Sequence, residues 1–284
     1  MNEKELLDDL KEKVHKFAAT NGQQFNSVWK QLVLERFLAK VSRSKYSEHL
    51  VFKGGMLLSK YLPLGRETID LDFLLHKIGA EKEKVKGIIE DIISQEVESG
   101  FKFELIKISE IDHQSTNYLG LKASLVAKLD KTKTSFHVDI GVGDTVNPNK
   151  THIEFIKNNQ VAIFEDGVQL FVYPPEAIFA EKYETVVSRR SRNTRMKDFY
   201  DLWMLIKFKK VDPELSLRSI ENTCATRETD PIGEIKFSSK ELQKKKNDWT
   251  NFISKRLYKE DDENRSFEKI LSEINQFLKV LKLE

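Results

Sequence analysis

Apolar positions recur at helical spacing through the first part of the chain and predict two helices. From Glu3 to Ala19, Leu6, Leu7, Leu10, Val14 and Phe17 form one stripe; from Asn26 to Ser42, Val28, Leu32, Leu34, Phe37, Leu38 and Val41 form another. The pattern then shortens. HLVFKGG reads as a strand running into a Gly-Gly turn, MLLSKYL as a helical turn or two stopped by Pro63, and TIDLDFLL as a second strand. EKEKVKGIIEDIISQEVES returns to the helical period, with Val85, Ile88, Ile89, Ile92, Ile93 and Val97 on one side. Beyond Gly100 the period drops to two, and FKFELIKI, YLGLKASLVAKL and TSFHVDIGVG alternate as strands do. The texture changes again near Tyr173. YPPEAIFAEKYETVVSRR begins with two prolines, a preferred helix start, and helical patterning continues to Glu284, broken by a polar, turn-rich loop over 225–241. The order of elements predicts an α+β chain, with a mixed, partly antiparallel sheet over 1–172 and a helical domain over 173–284.

Composition alters this picture in few places. The chain has 284 residues, 39% hydrophobic and 32% charged, with a formal net charge of +2. Such a chain is globular with a charged surface, and it carries no uniformly basic coat for nucleic acid, although a local patch is compatible with that charge. The single cysteine, Cys224, excludes an intrachain disulfide and a cysteine-based zinc site, and it suits a reducing cytoplasm. The opening MNEKELLDDLKEK lacks the apolar core of a signal peptide, and no apolar run is long enough to span a bilayer, so neither secretion nor a membrane partner is expected.

The candidate chemistry starts with two acids inside an apolar run. Asp70 and Asp72 stand two apart on a predicted strand, which puts both carboxylates on one face while Ile69, Leu71 and Phe73 point to the other. Carboxylates that close repel each other unless a cation lies between them, and Mg²⁺ takes oxygen ligands of this kind. By itself the pair is a weak signal and reads more readily as a solvated strand end. A third acid, Asp139, sits in the strand FHVDIGVG, and three acids on adjacent strands can hold two metals that clamp the attacking and leaving oxygens of a phosphoryl transfer. Upstream, Gly54 and Gly55 permit close backbone approach to a phosphate, or make a simple tight turn. Between residues 189 and 197 there are basic side chains Arg189, Arg190, Arg192, Arg195 and Lys197 and no acid, a patch suited to triphosphate or a nucleic-acid backbone. In the helix that follows, Phe199, Leu202, Trp203 and Ile206 make the expected buried stripe, leaving Asp198 and Asp201 on the opposite side.

FKGGMLLSKYL…RETIDLDFLL and PPEAIFAEKYETVVSRRSRNTRMKDFYDLWML, in that order with the VDI strand between them, resemble the AbiEii-type nucleotidyltransferase toxins. These are the toxin components of type IV toxin–antitoxin (abortive-infection) systems, within the DNA polymerase β-like superfamily. The resemblance spans roughly residues 45 to 210. It implies a polymerase β-like fold, transfer of a nucleoside monophosphate from an NTP with release of pyrophosphate, Mg²⁺ or Mn²⁺ as cofactor, and an antitoxin protein as partner. It further implies RNA as acceptor, with the 3′ end of tRNA leading and a protein hydroxyl, including one of the toxin itself, as the alternative. Residue by residue, it implies that Gly54 and Gly55 cradle the nucleotide, with Lys53, Arg66 and Thr68 beside them. Asp70 and Asp72 then bind metal, with Asp139 as third carboxylate; Lys182 grips the triphosphate, and Asp198 positions or activates the acceptor. The helical domain would complete the active site. Many superfamily members carry a serine after the first glycine; here Gly55 and Met56 follow, and Thr68 or Ser59 would have to supply the hydroxyl.

Other signals are weaker. Basic residues from Lys236 to Lys259 interleave with Trp249 and Phe252, which fits an RNA-binding face but fits better a solvated helix with a core stripe. Histidines 15, 49, 76, 113, 137 and 152 show no metal-ligand spacing, although His137 shares a strand face with Asp139. Two rival functions are a small-molecule nucleotidyltransferase of the antibiotic-modifying kind and a non-catalytic interaction protein. The basic stretch weighs against the first, and the intact Asp70, Asp72, Lys182 and Asp198 weigh against the second.

Overall fold

The chain opens on α1 (Glu3–Thr20), whose start is a capping box: Asn2 and Glu5 exchange side-chain-to-backbone hydrogen bonds of 2.9 Å. A computed structural model of the chain describes residues 2–64, 70–111, 120–254 and 266–283. The chain divides into two units: Met1–Lys60, Glu67–Gly143 and Pro148–Val172 make the first, and Tyr61–Arg66, Asp144–Asn147 and Tyr173–Glu284 the second.

In the first unit, α2 (Phe25–Arg43) is followed by β1 (Leu50–Lys53), α3 (Gly54–Tyr61), β2 (Leu71–Leu75), α4 (Lys82–Ser94), β3 (Lys102–Ile111), β4 (Gly120–Leu129) and β5 (Thr132–Val142). Then come β6 (Asn149–Glu154), the short pair β7 (Lys157–Asn158) and β8 (Val161–Ala162), and β9 (Gly167–Val172). Seven strands form one mixed sheet in the order β3-β4-β5-β2-β1-β9-β6, in which β2–β5 and β1–β9 are parallel and the other neighbours antiparallel. The alternation of β4 and β5 works as period two requires. Leu121, Ala123, Leu125, Phe136, Val138 and Ile140 are buried, while Lys122, Ser124, His137 and Asp139 share the other face. The strands after β5 escaped the pattern reading. The signal was present in the alternating Val168, Leu170 and Val172, but the run is short and only Phe52↔Val172 joins it to β1.

Helix α2 departs from the one-sided stripe its spacing predicts: every residue from Leu32 to Val41 is buried, because α1, α4, β5 and β9 all pack against it. Its charges are therefore paired inside. The Glu35 carboxylate accepts from Lys60 Nζ and Gln31 Nε2, each at 3.0 Å, and from the Ile156 amide at 2.9 Å. The Arg36 guanidinium lies between the rings of Phe155 and Phe164, 5.0 and 4.5 Å from their centroids, with Glu165 3.2 Å away.

The second unit contains α5 (Pro175–Arg189), a 3-10 turn at Arg190–Arg192, α6 (Met196–Lys207), α7 (Pro213–Thr226), α8 (Ser239–Ile253) and α9 (Phe267–Leu281). Pro174 caps α5 and Pro175 occupies its first turn, where a missing N–H costs nothing. Helix α6 is the core of this unit, packed against α5, α8 and α9. Trp249 and Phe252 pack inward on Tyr200, so the core stripe is the correct reading of α8. Of the basic residues there, Lys245 is buried, while Lys255, Arg256 and Lys259 lie outside the described residues.

Candidate active site

Strand β1 ends at Lys53 and passes directly into α3 at Gly54, whose φ is +75°. The two glycines thus open the helix. A Cβ on Gly54 would stand 2.0 Å from Asp72 Oδ2 and 2.4 Å from its Cγ, so only glycine leaves room for that carboxylate. Asp72 is carried by β2 directly across from Lys53, and its carboxylate lies against the N-terminal residue of α3, where free N–H groups and the helix dipole favour negative charge.

The parallel pairing of β2 with β5 sets Asp72 beside Asp139, and the antiparallel pairing of β5 with β4 sets Asp139 beside Lys122. Lys53, Asp72, Asp139 and Lys122 therefore form one row across four strands. Lys122 Nζ stands 3.3 Å from Asp139 Oδ1. Burial pushes the Asp139 carboxyl above its ordinary range, the neighbouring Lys122 opposes this, and the charge of Asp70 adds to it. Asp70 precedes β2. Its Oδ1 is buried without a hydrogen-bond partner, as is His137 Nδ1. Among the described residues, no group of three or more acidic, histidine or cysteine side chains converges closely enough to form a ready metal cage. The donor chemistry nevertheless fits a hard divalent cation, since Asp70 presents a buried carboxylate oxygen without a hydrogen-bond partner and Asp72 and Asp139 stand side by side in one row. Arg66 and Thr68 lie outside the described residues, and the Ser59 hydroxyl donates to Met56 O at 2.7 Å, within α3 itself.

In the second unit, Lys182 projects from α5 onto two acids of α6. Its Nζ is 2.7 Å from Asp201 Oδ2 and 3.4 Å from Asp198 Oδ1, and Arg195 Nε is 3.1 Å from Asp198 Oδ2. Asp198 and Asp201 are fully buried, which corrects the expectation that they lie opposite the buried stripe: α6 is enclosed on all sides, and the two acids face basic partners instead of water. Asp198 is in the first turn of α6, where the helix dipole also favours its charge. Asp201 is the residue that spacing under-weighted; it lies one helical turn beyond Asp198 in KDFYD, and it is Lys182's closer partner. Of the basic stretch, Arg190, Arg192, Arg195 and Lys197 are exposed and Arg189 is half-buried. Arg190 has a φ of +47°, and the backbone of the turn is held by Lys245, which donates to Ser191 O at 3.0 Å and to Asn193 O. A second buried hub, which no motif announced, centres on Arg227. It pairs with Glu181 and Glu184 at 3.0 Å and with Asp144 at 3.4 Å, while Tyr173 donates to Asp144 at 3.0 Å. Burial disfavours the Arg227 charge, but these carboxylates outweigh it and raise its pKa.

Residues 36–273 match the family model described as "Nucleotidyl transferase AbiEii toxin, Type IV TA system". Among solved structures, JHP933 from Helicobacter pylori is similar over 90% of this chain and 91% of its own, at 15% identity and a TM-score of 0.48. Another H. pylori protein, described as a candidate nucleotidyltransferase, is similar over 90% of this chain and 94% of its own, at 15% identity and a TM-score of 0.50; identity that low speaks to the fold alone. No curated protein matches the chain.

Proposed function

Because the chain belongs to the AbiEii nucleotidyltransferase toxin family, we propose that it moves a nucleoside monophosphate from an NTP onto the 3′ hydroxyl of a tRNA, which would block translation. The family is defined by toxin–antitoxin pairs, so an antitoxin protein is the expected neutralising partner. The observation that carries the reading is the fit of Asp72 against Gly54, where a side chain on the glycine would collide with the carboxylate.

In the first unit, Asp70 and Asp72, with Asp139 beside them, are the residues that would hold Mg²⁺ or Mn²⁺. A divalent cation there would lower the pKa of the acceptor hydroxyl and stabilise charge on the phosphorus being transferred. Gly54 and Gly55 let the backbone approach the triphosphate, and the amides opening α3 donate to its oxygens. In the second unit, Lys182 is assigned to the triphosphate, balancing charge as pyrophosphate leaves, and Asp198 to the acceptor hydroxyl. Lys182 is held by its ion pair with Asp201 and Asp198 by its ion pair with Arg195. The exposed Arg190, Arg192 and Lys197 are suited to a polyanionic acceptor and would repel a cationic antibiotic.

The test is direct. Purified protein is incubated with each labelled NTP, Mg²⁺ and total RNA. Label is expected at the 3′ end of tRNA, and Asp72→Asn is expected to abolish it while the circular dichroism spectrum is unchanged. Label on a small cationic acceptor, with RNA untouched by all four nucleotides, would replace the tRNA reading with the small-molecule one.

A further inference from the structure

We infer that Lys122 is the built-in counter-ion of Asp139 and competes with a divalent cation for that carboxylate, so that it sets how tightly the cation binds. The inference rests on the metal reading of Asp70, Asp72 and Asp139 given above, and it concerns a residue to which neither the motifs nor the family match gives a role.

The geometry comes from strand register. Lys122 on β4 is the cross-strand partner of Asp139 on β5, and Asp72 on β2 is its partner on the other side. Asp139 thus stands between an ammonium and a second carboxylate in one row. Asp70 acts on it as a further negative charge. Without a positive group, the half-buried Asp139 would stand beside a second carboxylate, that of Asp72, in its own row. Among the described residues, Lys122 is the cation paired with Asp139, 3.3 Å from its Oδ1.

Two details distinguish this pair from an ordinary cross-strand ion pair. First, Lys122 faces Asp139 from directly across the strand pair, so its ammonium stands in the same row as the carboxylates that would take the cation. Second, the lysine side chain is about one-third exposed, at 35%, so it has somewhere to go when it leaves the carboxylate. Lysine suits such a role. Its charge is compact and sits on a flexible four-carbon stem, whereas arginine would hold the carboxylate through a rigid fork. A cation that binds the carboxylates must either displace the ammonium or bear its repulsion. At a separation of about 5 Å in a wet site, that repulsion corresponds to about a tenfold weakening of cation affinity.

The experiment titrates the full-length protein with Mn²⁺ alone and follows free Mn²⁺ by electron paramagnetic resonance, with thermal melting recorded with and without the ion. Lys122→Met is expected to bind Mn²⁺ about tenfold more tightly than wild type. It should also melt at a lower temperature without the ion and recover when Mn²⁺ is added. Lys122→Arg keeps the charge and grips the carboxylate more firmly, so it should bind Mn²⁺ no more tightly than wild type; Lys122→Gln serves in place of the Met variant if that one does not fold. Unchanged or weaker Mn²⁺ binding on loss of the charge overturns the inference. Asp72→Asn separates the two layers. If it abolishes Mn²⁺ binding while Lys122→Met titrates like wild type, only the counter-ion role fails. If wild type binds no Mn²⁺, or Asp72→Asn binds it like wild type, the metal reading fails and the inference with it.

Discussion

Lys182 shows how one side chain can be committed twice. It is assigned to the triphosphate, yet it also compensates two carboxylates that are almost wholly enclosed. Lys182→Ala should therefore reduce turnover roughly ten- to a hundredfold, the worth of one charge-assisted contact. It should also destabilise the protein by about 3–5 kcal/mol, because buried charge is left unpaired. Urea denaturation checks the second effect. If the stability loss comes from the pairing, Lys182→Met combined with Asp201→Asn should recover a large part of it, and a double variant no more stable than the single one would exclude that cause. Gly54 makes a sharper case, since its positive φ and the 2.0 Å that would separate an added Cβ from Asp72 Oδ2 exclude a side chain on separate grounds. Gly54→Ala should lose transfer and lower the melting temperature, with backbone strain alone worth about 1–3 kcal/mol. Wild-type activity in that variant would count against a catalytic Asp72.

At the level of the element, the turn between α5 and α6 owes its shape to α8. Lys245 crosses from α8 to bond the carbonyls of Ser191 and Asn193, and burial lowers its pKa. The exposed Arg190 and Arg192 are thereby presented from a fixed backbone. Lys245→Met leaves two carbonyls without their donor and should cost about 1–3 kcal/mol. It should also speed tryptic cleavage after Arg190 and Arg192 relative to other sites, as read by mass spectrometry. Uniformly faster cleavage across the chain would mean general unfolding rather than release of this turn.

The whole molecule is nearly neutral, so any attraction for RNA must come from local charge. Reversing Arg190 and Arg192 to Glu should weaken RNA transfer strongly, flatten its dependence on salt and spare nucleotide binding. An unchanged salt slope would remove the patch from acceptor binding. The fold also has an alkaline limit. Burial raises the pKa of Cys224 to about 11 and that of Tyr183 to about 12. Both groups hold their protons longer folded than unfolded. The stability they contribute is therefore complete below pH 9, the ordinary thiol value, and is lost as pH rises towards about 12. Denaturation midpoints across that window should fall, and Cys224 should resist thiol reagents at pH 8 until the protein unfolds.

Periodicity alone determined much of this protein. Helical and alternating runs mark α1 to α4 and β3 to β5, and the two prolines mark the start of α5, because each depends on near neighbours along the chain. The paired acids and the basic stretch were legible for the same reason, as short-range motifs. Tertiary structure decided the rest. Helix α2 has an amphipathic spacing but is buried all round, since four other elements surround it. Asp198 and Asp201 have the spacing of surface acids but are enclosed by the packing of α6 and answered by Lys182 and Arg195. That Asp139 lies beside Asp72 on one side and Lys122 on the other follows from the register of β2, β5 and β4, whose residues are distant in the chain. A one-residue slip in either pairing would break that row, and register is set by the burial of whole strands against helices, which no local window contains.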